Sequence, residues 1–286
     1  MPDTAQRGIR LIFWYNGMDR FFHSFQKYFN VQPAAVCLLL GFLCMQPVHA
    51  KEFVAPETVP DALIAAINRS LPEFLQDLER VLAAETHDLF ILVDKKHALS
   101  SEFVPHDLIP LKGDRAYAVS RKDLSLTRQA EAALQEMALA ARKDGVTLLV
   151  SSSYRSYQYQ KNLFARYVRE SGEAEAERFS ARAGTSQHQL GTVVDFGSIS
   201  DEFAQTKAGK WVLRHASEYG WSLSFPKGYE NVTGYVWESW HYRYIGKEAC
   251  AFQKKWFDDI QQYMLEFIDA WKKGTSQINL RKISKN

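Results

Sequence analysis

Apolar and polar positions follow several distinct periods along this chain. Between residues 63 and 82, apolar side chains recur three and four apart (Leu63, Ile67, Leu71, Leu75, Leu78, Leu82). That spacing predicts a helix, interrupted near Pro72. Residues 90–93 (Phe-Ile-Leu-Val) form a short apolar run and predict a strand. Over 124–143, Leu126, Ala130, Ala133, Leu134, Met137 and Ala141 share one face of a helix that Gly145 is placed to end. Residues 146–150 predict a buried strand, and 157–168 a helix with Leu163, Phe164 and Tyr167 inward. A β-branched strand is expected at 192–196, a helix at 210–219 closed by Gly220, an alternating strand at 221–225 and a last strand at 242–245. Residues 247–272 read as one long amphipathic helix through Phe252, Trp256, Ile260, Tyr263, Phe267 and Trp271, followed by a basic, polar tail. Helices and strands mix without a βαβ rhythm, and no Gly-rich turn joins a strand to a helix, which argues against a nucleotide-binding doubly wound sheet. The expected class is α+β, with a small antiparallel sheet flanked by helices.

The first fifty residues have a different character. Residues 33–45 are uncharged and apolar, Arg20 and Lys27 precede them, and Val48-His49-Ala50 supplies small residues at a cleavage position. This is the three-part pattern of a secretory signal, and the run is shorter than the ~20 residues a spanning helix needs. Starting at Met18 would give a signal of conventional length. Neither Cys37 nor Cys44 has the small preceding residue of a lipoprotein signal. The expectation is an exported, periplasmic or extracytoplasmic protein, with a membrane anchor as the alternative if the segment is not cleaved. The chain then divides into an N-terminal extension (1–50), a linker and helical segment (51–89), a main body (90–250) and a C-terminal amphipathic helix with its tail (251–286).

Composition narrows the chemistry. With 46% hydrophobic and 24% charged residues, disorder and collagen-like repeats are excluded. A net charge of +2 with no Lys/Arg stripe gives no footprint for nucleic acid. Of three cysteines, only Cys250 lies beyond the N-terminal run, which excludes a disulfide framework and a Cys-ligated zinc site. Histidine is the better metal ligand to seek, and two local clusters supply it. One is Ser186-Gln-His188-Gln-Leu-Gly191-Thr-Val-Val-Asp195, and the other is Trp237-Glu238-Ser-Trp240-His241-Tyr-Arg-Tyr244. A catalytic zinc takes three protein ligands, commonly His and carboxylate; His188, Asp195 and His241 supply such a set, with Glu238 left over as a general base toward water. The residues alone leave plainer readings open: hydrogen-bonded core histidines, a turn-capping Asp195 and a surface Glu238. A third cluster, Ser151-Ser-Ser-Tyr154-Arg155-Ser156-Tyr157-Gln-Tyr-Gln160, follows a strand and opens a helix. Arg155 there suits a substrate carboxylate, or equally a structural ion pair with an internal acid.

In this order, the three clusters resemble the VanY-type D-alanyl-D-alanine carboxypeptidases, zinc peptidases of bacterial cell-wall metabolism. The family pattern runs S-G-Y-R-S-x-x-x-Q, then S-x-H-x-x-G-x-A-x-D, then E-x-W-H-Y-R-Y. Here it is met by Ser152 to Ser156 with Gln160, by Ser186, His188, Gly191 and Asp195, and by Glu238 with Trp240 to Tyr244. The resemblance spans roughly residues 90–250. Ser153 replaces a usual Gly, Val193 a usual Ala, Gln187 a common Glu and Trp237 a common Tyr, so substrate preference is what the departures put in question.

The resemblance implies one zinc per chain, bound by His188, Asp195 and His241. It makes Glu238 the catalytic base and Arg155 the binder of the substrate carboxylate, with Gln160 and Ser186 lining the cleft. It further implies the α+β zinc-peptidase fold shared with hedgehog signalling domains, and a peptidoglycan stem peptide as substrate. Both D,D- and L,D-specificity occur in the family. An endopeptidase of the same fold and a non-catalytic peptidoglycan-binding module are the alternatives. His87, His97, His106 and His215 match no motif and are expected to be structural, and a membrane partner is expected only if the N-terminal apolar segment stays attached.

Overall fold

Helices α1 (Asp61–Arg69) and α2 (Leu71–Ala84) occupy the stretch where the apolar spacing predicts one interrupted helix. The break falls at Ser70, and Pro72 sits in the first turn of α2, where its missing N–H forfeits no helical bond. The computed structural model describes residues 52–53, 56–86, 88–273 and 278–279. Lys51–Asn279 form one compact unit. The signal-like segment, with His23, Cys37, Cys44 and His49, lies outside the described residues, as do His87 and the tail beyond Asn279.

The remaining longer helices are α3 (Arg128–Lys143), α4 (Tyr157–Ser171), α5 (Glu173–Phe179), α6 (Lys207–His215), α7 (Lys247–Trp256) and α8 (Gln261–Lys272). In α3 the expected face is the buried one, and Gly145 ends the helix at a positive φ of 66°. Leu126 instead belongs to the short strand Ser125–Thr127, paired antiparallel with Leu108–Pro110, so the helix begins at Arg128.

Five strands form the central sheet: β1 (Ala118–Val119), β2 (Leu149–Ser152), β3 (Val193–Phe196), β4 (Trp221–Leu223) and β5 (His241–Tyr244). Their order is β1-β2-β3-β5-β4. Every pair is antiparallel except the edge pair β1–β2, which is parallel. Val194 and Phe196 on β3 join Tyr242 and Tyr244 on β5 in the apolar core. Because side chains alternate along a strand, Asp195 and His241 are turned to the other face.

Two expectations fail for identifiable reasons. Residues 90–93 form no strand. Arg243, fully buried in β5, donates from Nη2 to the carbonyls of Leu89 and Ile91, both at 2.8 Å, so this segment is pinned by a side chain rather than by a ladder. The single helix expected over 247–272 is two, α7 and α8. The chain turns at Asp258 and Asp259, with φ of 52° and 59°, and Gln253 Nε2 donates to the Asp259 carbonyl at 2.8 Å. Both helices pack on α2. Phe74 is the hub, its ring 5.3 Å from each of Phe252, Trp256 and Phe267. One hydrophobic cluster thus runs from Val59 to Ile268.

Candidate active site

Backbone geometry assembles the site from three places in the chain. Asp195 and His241 are direct partners in the antiparallel register of β3 and β5, so their side chains emerge together. His188 lies in a single 3-10 turn, Gln187–Leu190, capped by Ser186, whose hydroxyl accepts from the His188 N–H at 3.3 Å. Gly191 closes that turn at φ 68°, and a Cβ there would stand 2.8 Å from Leu108 Cδ2, so glycine serves both the left-handed turn and the close packing. Arg155 precedes α4, and its N–H donates to the His188 carbonyl at 3.2 Å, which ties the arginine loop to the histidine turn. Glu238 is held by its own N–H on the Phe225 carbonyl at 3.1 Å.

The side chains converge. His188 Nε2 lies 3.2 Å from Asp195 Oδ2, and His241 Nδ1 lies 3.2 Å from both Asp195 Oδ1 and Glu238 Oε2. Arg155 Nη2 lies 3.4 Å from Asp195 Oδ2, and its Nη1 donates to Gln160 Oε1 at 2.9 Å. Gln160 in turn donates to the Ala181 carbonyl at 2.7 Å. The ligand atoms of His188, Asp195 and His241 all fall within 4.8 Å of one another, and Asp195 is only 2% exposed.

These donors fit a metal ion. His188 Nε2 and Asp195 Oδ1 are buried without a hydrogen-bond partner, although each stands at ion-pair distance from a neighbour. Lone pairs aimed at a common point rather than at each other give this pattern. Zinc–ligand bonds of ~2.0–2.2 Å at tetrahedral angles would set neighbouring ligand atoms ~3.3–3.5 Å apart, close to the contacts present. His188 Nδ1 donates to the Ser153 carbonyl at 2.6 Å, which fixes the tautomer and leaves Nε2 as the ligand atom.

Electrostatics agree. Burial, helped by the Arg155 guanidinium, lowers His188 to about 4, so its imidazole is neutral and ready to coordinate. Burial opposes ionisation of Asp195, but contact with the two imidazoles, of which His241 carries the proton, holds the carboxyl well below its ordinary range. Burial likewise disfavours a charged His241, yet the Asp195 and Glu238 carboxylates raise it to about 9. Burial pushes Glu238 up, the direction that suits a group exchanging protons near neutrality.

The site forms the floor of a cleft of about 470 Å³. Arg155, Ser186, His188, Asp195, Glu238 and His241 all line it. Gln160 does not; it is 1% exposed and braces Arg155 from behind, so the expected cleft-lining role becomes a supporting one. The sequence reading missed Tyr235 and Phe225, whose rings meet at 5.0 Å, with Phe225 also 4.6 Å from the His241 ring. Phe225 ends the stretch predicted as the strand 221–225 but lies past β4 on irregular backbone, and Tyr235 carries no spacing signal. A buried polar chain also leaves the site: Ser224 Oγ donates to Gln187 Oε1 at 2.8 Å, Gln261 Nε2 to the Ser222 carbonyl at 3.3 Å, and Ser222 Oγ to Gln253 Oε1 at 2.9 Å. Of the unmatched histidines, His97 pairs with Asp94 and His215 with Glu218, both away from the cleft.

Two imidazoles and a carboxylate closed from bulk water, with a second carboxylate and a guanidinium beside them, place the molecule among metal-dependent hydrolases. The family profile of VanY, D-alanyl-D-alanine carboxypeptidase, matches residues 123–247. YodJ of Bacillus subtilis (strain 168), which carries a carboxypeptidase name, is 34% identical over 187 residues, covering 62% of this chain and 68% of its own length. A D-alanyl-D-alanine carboxypeptidase of Enterococcus faecium is 28% identical over 179 residues, covering 61% of this chain and 56% of that one. Among solved structures, the LD-carboxypeptidase LdcB superposes with a TM-score of 0.56 at 34% identity, over 62% of this chain and 85% of that one. A variant of the D,D-pentapeptidase VanY from a VanB-type resistance cassette, in complex with Zn(II), gives 0.51 at 28% identity, over 62% and 97%. The chain belongs to the VanY family of carboxypeptidases.

Proposed function

We propose that this protein is a zinc-dependent carboxypeptidase that removes the terminal D-alanine from peptidoglycan stem peptides, with one zinc per chain. The observation that carries the reading is the convergence of His188, Asp195 and His241 beside Glu238 and Arg155 in one cleft. Zinc, held by those three residues, would supply a Lewis acid that activates water and polarises the scissile carbonyl. The chain's own residues do the rest. Glu238 accepts the proton of the attacking water on a carboxylate oxygen and returns it to the leaving amine. Arg155, braced by Gln160, grips the free C-terminal carboxylate and so places the last peptide bond over the floor of the cleft. Ser186 holds the His188 turn and presents its own edge to the cleft.

Relatives of both specificities, an LD-carboxypeptidase and a D,D-pentapeptidase, share the fold, so the stereochemistry at the scissile bond is read from products. Zinc-loaded protein incubated with tetrapeptide and pentapeptide stems, with products identified by mass, tests the reading. Loss of one terminal D-alanine supports it. Internal cuts favour an endopeptidase, and binding without any cut favours a non-catalytic module. The apolar run 33–45 and the Val48-His49-Ala50 that follows support export, with the folded domain acting outside the cytoplasm. N-terminal sequencing of the protein from a producing cell tests this: a start at Lys51 supports cleavage, and a start at Met1 or Met18 supports an anchor.

A further inference from the structure

One wall of the cleft is a single face of α4: Tyr159, Leu163, Arg166 and Tyr167 line it at helical spacing. Arg121 joins that wall, its Nη1 3.5 Å from the Tyr159 hydroxyl and its guanidinium carbon 5.9 Å from the ring centroid. Arg166 holds its guanidinium 5.1 Å from the Tyr167 ring centroid. Stacking on an aromatic ring steadies a guanidinium and leaves its N–H edge for a planar anion. Neither arginine is committed to a buried acid. Arg121 meets Asp123 at 3.0 Å and Arg166 meets Glu170 at 3.7 Å, and both carboxylates are exposed on the outer surface.

Charge in the cleft is therefore uneven. Its acidic lining is Asp195 and Glu238, both within the group of contacts around His241. Its arginines are three, and a lone terminal carboxylate at Arg155 would answer one of them. We infer that the α4 wall is a second anion subsite, in which Arg166 receives a carboxylate borne by the substrate peptide upstream of the scissile bond, and Arg121, beside Tyr159 on the same wall, adds positive charge along the approach. This rests on the carboxypeptidase reading and adds the substrate class: peptides with at least two carboxylates, one terminal and one internal. At 1.5 Å rise per residue, Arg166 lies ~15 Å along α4 from the turn that carries Arg155, and extended peptide covers ~3.3 Å per residue. Allowing for the reach of the arginine side chains, the internal carboxylate belongs about two to four residues before the C-terminus.

The test uses zinc-loaded protein and two stem pentapeptides with the same free C-terminus. One has its internal carboxyl groups free, and the other has them as amides. The readout is the ratio of kcat/KM for acid over amide, measured within each variant, so that a loss of folded protein cancels. The wild type should favour the acid by about 3- to 10-fold, an effect suited to half-exposed arginines. The ratio should fall toward one in the Arg121→Gln/Arg166→Gln double variant, and it should shrink in wild type at high salt. A wild-type ratio near one, or a preference that survives the double substitution, overturns the subsite while leaving the carboxypeptidase reading standing. If neither peptide loses its terminal residue, either as a pentapeptide or as the matching tetrapeptide, the carboxypeptidase reading itself falls, and the subsite with it.

Discussion

Arg155 gives the sharpest test of the chemistry, because it stands both in an internal ion pair and in the wall of the cleft. Its Nη1 donates to Gln160 at 2.9 Å, its Nη2 lies 3.4 Å from Asp195, and its Nε is buried without a partner. The contact with Asp195 is the internal ion pair that the residue pattern left open, and it coexists with a place in the cleft wall. If the guanidinium also receives the terminal carboxylate, Arg155→Ala removes a charge-assisted contact of about 1.5–3 kcal/mol. At about 1.4 kcal/mol per tenfold, kcat/KM for free-carboxylate stems should drop by about 10- to 150-fold. Arg155→Lys should recover only part of this, since an ammonium keeps the charge without the planar fork. The assay measures kcat/KM on a stem with a free C-terminus and on the same stem amidated there, together with melting temperature and zinc content of the same preparation. Wild type should discriminate strongly against the amide, and Arg155→Ala hardly at all. Were wild type to cleave both stems equally, substrate-carboxylate binding by Arg155 would be refuted. A variant that loses activity only in proportion to lost zinc or lost folded protein would reduce Arg155 to the partner of Asp195.

Three further outcomes are expected. His188→Ala should abolish zinc binding and turnover together, and full zinc occupancy by elemental analysis in that variant would remove His188 from the ligand set. Glu238→Gln should keep zinc yet lose about 10²- to 10⁴-fold in rate, so near-normal turnover in single-turnover kinetics would rule it out as the base. Phe74→Ala, at the hub of rings from α7 and α8, should destabilise the fold by about 3–5 kcal/mol in urea titration, and a change under 1 kcal/mol would mean that the hub does not hold these helices to α2.

Most of the site was legible because its chemistry sits on short, stiff backbone. His188 follows a capping Ser186 and precedes a left-handed Gly191, and Asp195 and His241 each open onto alternating apolar residues that fix which face they take. The misses have physical causes of their own. The break between α7 and α8 is silent in the periodicity because Trp256, Ile260 and Tyr263 keep helical spacing across it; the only local sign is the Asp258-Asp259 pair, a residue type that tolerates positive φ. Residues 90–93 look like a strand because they are apolar, but their carbonyl partner is Arg243, more than 150 residues away, and no local pattern reports it. The parallel edge strand β1 is two residues long, too short for any period to register. Tyr235 reaches the cleft from a loop, and Phe225 does so just past the end of β4, which stops two residues short of the predicted strand end, so packing and not alternation sets its direction.

The buried chain of Gln187, Ser224, Gln261, Ser222 and Gln253 sets where the gene can be cut. The family match ends at residue 247, which invites a fragment that stops there. Such a fragment would lack Gln253 and Gln261, leaving Ser222 and Ser224 without these partners beside the turn that carries His188. Each hydrogen bond so lost costs about 0.5–1.5 kcal/mol, and the aromatic cover of Phe74 would go with the same residues. The unit that folds around this site therefore extends through α8, past residue 247 where the family profile stops, and expression of a trimmed catalytic domain should keep residues to at least Lys272.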